Sequence, residues 1–447
     1  MTITTADDRP AAPAASGGKW MALLAAFLGW MFDGLEIGLF PLVARPSMTH
    51  LLGPDAAGSV IPWIVGITAT FLVGAAVGGI LFGWLGDRIG RVKAMVWSVL
   101  TYSIFSGLCA FAQAPWHLGA LRFLSALGMG GEWSLGVALV MEIWPANRRP
   151  ILAGLIGAAA NVGFLIIALL ALALAQSGLL AWLGAHLAWL FPESWFKEGA
   201  GGQSWRFLLF LGAMPAFLTF FIRIFVPESE KWKHASANAP KARVRDIFQP
   251  GLSRLTILGA CLAGVALLGT WGSVQQATPW AAKMASQIPG LNPRAETAWA
   301  QIYTAVGAII GTIVVAVMAE KFNRRIVYFG LCLLSLIVCQ YLFRAITTYG
   351  PTFLWTVAVA NGLTAGFYGW LPLYLPELFP TRVRATGQGF SFNSGRLLAA
   401  VGAVTVAMMY GGKEDYPKMC AVTSLIYLPG LLIIWLCPET KGKPLPE

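Results

Sequence analysis

The 447-residue chain is 57% hydrophobic and 11% charged, against about 45–50% and about 25% in soluble domains. A soluble globular enzyme is excluded, because that much apolar surface needs an implausibly large aqueous core, whereas a bilayer accepts helices of about 20 apolar residues as they stand. The net charge of +11 comes without a basic and aromatic stripe, so it points to membrane topology and anionic headgroups and away from nucleic acid.

Residues 1–19 contain Asp7, Asp8 and several Pro, Ala and Gly. They lack the basic region and cleavage site of a signal peptide and read as a disordered cytosolic tail. Low-charge apolar runs follow, within about three residues at each end, at 20–43, 59–82, 94–113, 116–140, 150–175, 205–226, 252–278, 297–319, 326–347, 352–376, 384–409 and 419–437. The reading is an all-α integral membrane protein with twelve transmembrane helices. The external connection 176–204 carries an apolar stretch, Leu179 to Phe191, too short to span. It fits either an interfacial amphipathic helix or an extension of the fifth helix.

The connection 227–251 holds Lys231, Lys233, Lys241, Arg243 and Arg245. It is read as a cytosolic linker between a first six-helix bundle, 20–226, and a second, 252–437, with 438–447 as a tail. The 31 Lys and Arg concentrate in the loops on the side of both termini, which places both termini in the cytoplasm and the chain in the cell membrane. The six Cys lie within or at the ends of apolar helices without metal-ligand spacing, as packed, reduced residues.

The two halves repeat one another. Gly83-Trp84-Leu85-Gly86-Asp87-Arg88-Ile89-Gly90-Arg91 follows the second helix, and Ala319-Glu320-Lys321-Phe322-Asn323-Arg324-Arg325 follows the eighth. Glu142 to Arg149 ends the fourth helix as Glu377 to Arg384 ends the tenth, and Pro227-Glu228-Ser229 is echoed by Pro438-Glu439-Thr440. Repeated halves with a site between them are a common transporter plan. On these motifs the chain resembles the major facilitator superfamily over essentially everything after residue 20. The resemblance implies two six-helix bundles that rock about a central site. Asp33-Gly34-Leu35-Glu36 is similar to the segment of the metabolite:proton symporters for aromatic acids and sialic acid. Gln275-Gln276 and the stretch from Pro227 to Trp232 resemble sugar porters.

An ionisable group at the centre of a membrane helix costs at least about 2.5–3.5 kcal/mol on insertion scales, so each needs a reason to be there. Asp33 and Glu36 lie three residues apart on one face of the first helix, and Glu132 is deep in the fourth. Adjacent carboxylates in a low dielectric resist ionising together, which is one way to build a proton carrier. Arg122 has two readings, a substrate or acid partner and a structural ion pair with the first-helix acids. It lies about 15 Å along the helix from Glu132, too far for direct pairing. Arg396, near the middle of the eleventh helix, offers a fixed cation with bidentate geometry for a carboxylate. With all five groups ionised, one negative charge remains, which one bound proton would neutralise.

Asn161, Gln275, Gln276, Asn361 and Asn393 are costly in lipid and should face the bundle interior or a wet cavity. Trp271, Trp370, Tyr368 and Tyr374 could wall a flat or ring-shaped solute. Gly83, Asp87, Arg88, Gly90, Arg91, Glu142, Arg149, Glu377 and Arg384 form a cytosolic layer that would hold an inner gate shut. The expectation is a secondary active transporter that moves a small organic anion, such as a monocarboxylate, aromatic acid or acidic sugar, together with protons. Arg396, Gln275, Gln276, Asn393, Asn161, Arg122, Asn361 and Tyr374 would form the substrate site, and Asp33, Glu36 and Glu132 the coupling set. No metal or cofactor beyond the coupling proton is expected, and a monomer suffices because each chain completes its own pathway. The rivals are a neutral sugar or polyol transporter and a nontransporting membrane receptor.

Overall fold

The computed structural model describes residues 16–176, 178–197, 202–237, 240–409 and 415–447. Most of the 1–19 segment therefore lies outside the described residues. The first half consists of α1 (Ser16–Leu52), α2 (Val60–Ile89), α3 (Arg91–Leu108), α4 (Pro115–Ile143), α5 (Arg149–Gln176), α6 (Leu179–Leu187), α7 (Ser204–Leu211) and α8 (Ala216–Phe225). A short α9 (Glu230–Ala237) leads to the second half. That half holds α10 (Ser253–Trp271), α11 (Ala277–Ala285), α12 (Pro293–Lys321), α13 (Arg324–Ala345), α14 (Pro351–Ala365), α15 (Phe367–Leu378), α16 (Arg384–Met409), α17 (Tyr416–Thr423) and α18 (Tyr427–Ile433).

Nine helical stretches of the described residues are long and apolar enough to cross a membrane. The other three crossings are α7 with α8, α14 with α15, and α16. The first is interrupted at Gly212–Pro215 and the second by a turn at Gly366. In α16 the low hydropathy comes from Arg384, Arg396 and a run of Thr, Gln, Ser and Asn. The seventh crossing breaks at Gly272-Ser273, so α10 ends at Trp271 and a 3-10 turn, Val274–Gln276, joins it to α11. The 176–204 connection forms a separate α6 after α5 has ended, plus a 3-10 turn at Glu193–Phe196, so it does not extend α5.

Small residues set the helix separations. An added Cβ on Gly34 of α1 would come within 1.9 Å of the Ala160 carbonyl oxygen on α5, and one on Gly163 of α5 within 2.1 Å of the Met31 carbonyl. Two seams join the halves, α2 against α16 and α5 against α12. At the first, bare Gly79 and Gly83 on α2 meet Asn393 and the Ala385 carbonyl of α16.

The start of α1 and residue 447 lie at one end of the bundle, here called proximal, with the α2–α3, α4–α5 and α15–α16 loops; the opposite end is distal. The 227–251 segment is ordered against the proximal end wherever it is described. Trp84 Nε1 donates to the Ala242 carbonyl at 3.1 Å and Arg382 meets Asp246 at 2.8 Å. Ala242 and Ile247 pack on Val383.

Candidate functional site

At mid-depth between the halves lies a cavity of about 50 Å³. The first half lends it Trp30, Asp33, Ile37, Asn161 and Phe164. The second half lends Thr270, Trp271, Gln275, Asn361, Tyr368, Phe392 and Arg396. Arg396 is half-buried, its Nη1 donates to Asn393 Oδ1 at 2.8 Å, and its guanidinium lies 5.4 Å from the Phe392 ring. Asn393 in turn donates to the Gly389 and Gly130 carbonyls, so it is a clamp that spans the seam and fixes the arginine. Asp33 is the acid whose charge acts on Arg396, and Glu132 of α4 lies beside it. Both carboxyls are almost fully buried, and Asp33 Oδ1 and both Glu132 oxygens have no hydrogen-bond partner among the described residues.

Glu36 has a cation of its own. It forms a short, buried ion pair with Arg122 Nη1 inside the first half, and the Phe40 and Phe71 rings each lie 4.4 Å from the guanidinium carbon. Gly212 makes room for it, since a Cβ there would meet Glu36 Oε2 at 2.7 Å. Of the two readings of Arg122, the geometry shows the ion pair, and Arg122 does not line the cavity. On α1, Glu36 is thus matched by a cation, while Asp33 lies beside Glu132 of α4, which acts on it more strongly than Glu36 does.

Other expected residues are also elsewhere. Gln276 donates to the Trp271 carbonyl at 3.1 Å, capping the break after α10, and does not line the cavity. Tyr374 stacks on Trp370 at 4.4 Å and donates to the Pro438 carbonyl at 2.7 Å, at the proximal end. Trp370 Nε1 donates to the Arg324 carbonyl, so this pair packs the second half and walls no solute. Asn161 and Asn361 do line the cavity, with amide nitrogens bonded to the Gly157 and Thr304 carbonyls. Sequence reasoning passed over the cluster beneath the cavity: Trp133 stacks on Phe392 at 3.9 Å, and Trp30 meets both edge-on. The available signal was positional, because Trp30, Trp133 and Phe392 each sit within four residues of a buried charge.

Proximal to that cluster the halves are tied together. Asp87, at the end of α2, accepts from Thr386 N at 2.7 Å, Thr386 Oγ1 at 2.5 Å and Ala385 N at 3.2 Å, and so caps the first turn of α16. A carboxylate there meets the exposed amides and the positive end of the helix dipole. Arg91 bridges Asp87, Glu142 and the Thr381 carbonyl, and Arg384 reaches Glu142 at 2.9 Å across the seam. In the second half Arg324 pairs with Glu377 at 2.9 Å. Glu228 accepts from the first amides of α3, Arg91 and Val92, as Glu439 does from those of α13, Arg324 and Arg325, which gives the repeated Pro-Glu motif its structural meaning. Gly90 holds φ +108° at the turn into α3. Arg88 is exposed and stacks its guanidinium over Trp84 at 5.1 Å, without an ion pair among the described residues. Arg149 is half-buried, donates to the Met141 carbonyl and lies within electrostatic range of Glu377.

Two six-helix halves, a shared central cavity carrying opposed charges, and a gate built from repeated acid–arginine motifs define a membrane transporter. The model of the Major Facilitator Superfamily matches residues 20–403, and the chain belongs to that family. It is 28% identical over 434 residues to a probable 4-methylmuconolactone transporter of Cupriavidus pinatubonensis, covering 94% of this chain and 90% of that one. It is likewise 28% identical over 435 residues to the cis,cis-muconate transport protein of Acinetobacter baylyi, covering 95% of each. Among solved structures it resembles the proton:xylose symporter XylE bound to 6-bromo-6-deoxy-D-glucose, with a TM-score of 0.74 at 17% identity over 97% of this chain and 98% of that one. The protein is a multi-pass membrane transporter and not an enzyme.

Proposed function

We propose that this transporter carries a small organic anion together with a proton by alternating access, with the proximal face in the cytoplasm. The observation that carries the reading is the charge set at the cavity. With Glu36 and Arg122 matched to each other, Asp33, Glu132 and Arg396 remain: two acids and one fixed cation. One proton makes this set neutral, and a substrate carboxylate that then binds Arg396 frees Asp33 from its counter-charge, which favours a second protonation or retention of the first. Substrate and proton would thereby be coupled through one arginine. The names of the muconate and muconolactone carriers support a carboxylate, while Asn161, Asn361 and Gln275 supply amides for its remaining oxygens.

The cavity holds only a few waters, since each needs about 10–15 Å³ of such space, so an organic anion enters only when the halves part. The Asp87, Arg91, Glu142 and Arg384 ties close the proximal side, which leaves the distal side, past Phe164 and Trp271, as the entry in this arrangement. Return opening must break those ties and slide the α2–α16 seam.

The deciding measurement is uptake into proteoliposomes of monocarboxylates, aromatic acids, sialic acid, sugar acids and neutral sugars, with an inward proton gradient and with a protonophore. Concentrative carboxylate uptake that collapses with protonophore is the expected result. Equilibrating uptake of neutral sugars, indifferent to protonophore, would replace this reading with a facilitator. Arg396→Ala should reduce carboxylate uptake at least a hundredfold, given about 3–5 kcal/mol for a buried charge partner removed; near-normal affinity in that variant would remove the core of the reading.

A further inference from the structure

On the outer surface of the second half, α12, α13 and α14 enclose a groove of about 610 Å³ that takes no part in the cavity. Its walls are apolar along their whole length, with Ile310, Val314 and Met318 from α12, Leu334 from α13 and Val359 from α14, and Phe322 at the proximal end. Exposure of these side chains is high, with Ile310 at 58%, Val359 at 53% and Phe322 at 52%. The groove exists because glycines floor it. A Cβ on Gly311 would strike the Gly362 carbonyl oxygen at 1.9 Å, so α12 and α14 touch backbone to backbone while α13 stands off. From Val306 to Phe322 it runs about 24 Å along α12, which exceeds the roughly 15 Å depth of one leaflet's hydrocarbon.

The proximal mouth is basic. Lys321 lies on the same helical face as Val314 and Met318, seven and three residues away, and is exposed. Lys441, from the segment after α18, donates its Nζ to the Lys321 carbonyl at 2.7 Å, which fixes a second ammonium beside Phe322. Glu320 is exposed at the same end on the opposite side of α12. Annular lipid wets every outward face, but a bare apolar channel that ends under two ammonium groups has the shape and charge of one particular ligand.

We propose that this groove is a specific site for an anionic phospholipid of the leaflet at the proximal face, with one acyl chain along α12 and the phosphate at Lys321 and Lys441. A phosphate and ammonium pair at an interface is favourable, and the chain gains close packing against the groove walls. The site also touches transport: α14 presents Gly362 and Leu363 to the groove and Asn361 and Ala365 to the central cavity, so an occupied groove holds in place the helix that walls the cavity. Only this last link rests on the proposed function. The lipid site stands or falls without it.

The test is native mass spectrometry of the full chain, released from detergent micelles containing equal phosphatidylglycerol and phosphatidylethanolamine. Wild type should retain phosphatidylglycerol at least tenfold in preference. Lys321→Gln with Lys441→Gln should remove the preference without removing all bound lipid, and Val314→Trp, which fills the channel from an exposed position, should remove retained lipid of both kinds. Equal retention of phosphatidylglycerol by wild type and both variants overturns the proposal. So does a wild-type dimer that Val314→Trp converts to monomer, which would make the groove an interface between two copies. Uptake in phosphatidylglycerol-containing liposomes, several-fold faster than in phosphatidylcholine alone for wild type and equal for the lysine variant, reads the link to transport separately.

Discussion

Glu36 and Arg122 illustrate how a buried charge can be structural and still resemble a functional one. Both side chains are 2% exposed, and two aromatic rings flank the guanidinium. Removing one member leaves the other uncompensated in low dielectric, which costs about 3–5 kcal/mol, whereas removing both costs far less. Glu36→Gln should therefore lower the detergent-solubilised melting temperature by several degrees. Combining it with Arg122→Gln should restore much of that loss. If the double variant is as unstable as the sum of the singles, the pair does not act as a unit. Asp33 forms no such direct ion pair among the described residues and faces Arg396 at the cavity instead, so the acid on α1 that faces the cavity and the acid that stabilises α1 are different residues, one helical turn apart.

At the scale of elements, the helix ends carry the pseudo-symmetry. Glu228 and Glu439 each cap the helix that begins half a bundle away, α3 and α13, and the Arg91–Glu142 pair has its counterpart in Arg324–Glu377. The symmetry breaks at Asp87. It caps α16 across the seam, while Glu320, at the matching position, is exposed to solvent. Of the two motifs that follow the second and eighth helices, the first therefore caps a helix of the other half, and the second, among the described residues, does not. Gly90 is the hinge of the first motif, at φ +108° and ψ 152°, a region essentially restricted to glycine. Gly90→Ala should cost about 1–3 kcal/mol from backbone strain alone, and its Cβ would sit 2.3 Å from Glu228 Oε2, displacing the α3 cap. Chemical denaturation compared with Gly330→Ala, where nothing lies within 4 Å of the new Cβ, measures the difference; equal stabilities would contradict it.

For the whole molecule, the arrangement is that of a carrier whose proximal side is shut. Asp87→Asn keeps one acceptor but removes the charge that faces the α16 amides. It should slow transport by more than tenfold, because the proximal-closed arrangement loses its tie, while substrate affinity stays within a few-fold, because Asp87 lies far from Arg396. Initial-rate uptake alongside equilibrium binding in detergent separates the two quantities. A severe loss of binding would place Asp87 in the site itself.

How much of this was legible beforehand follows from what each feature depends on. Composition and the spacing of apolar runs determined an all-helical membrane protein of twelve crossings, because hydrocarbon thickness alone sets that length. The recurrence of acid and arginine at matching positions of the two halves determined the repeated plan. The buried charges were identifiable too, since each is conspicuous in an apolar run. Their pairing was not, because helical periodicity reports which residues share a face of one helix and is silent on which neighbour that face meets. Asp33 and Glu36 share a face of α1, yet the rotation of α1 against α4 gave Glu36 to Arg122 and brought Glu132 to Asp33. The same limit sent Gln276 to its own helix break and Tyr374 to the proximal end, and it concealed Trp30, Trp133 and Phe392, whose stack draws on three helices from both halves. Sequence decided which groups must be explained inside the membrane; helix packing decided which of them face one another across the cavity.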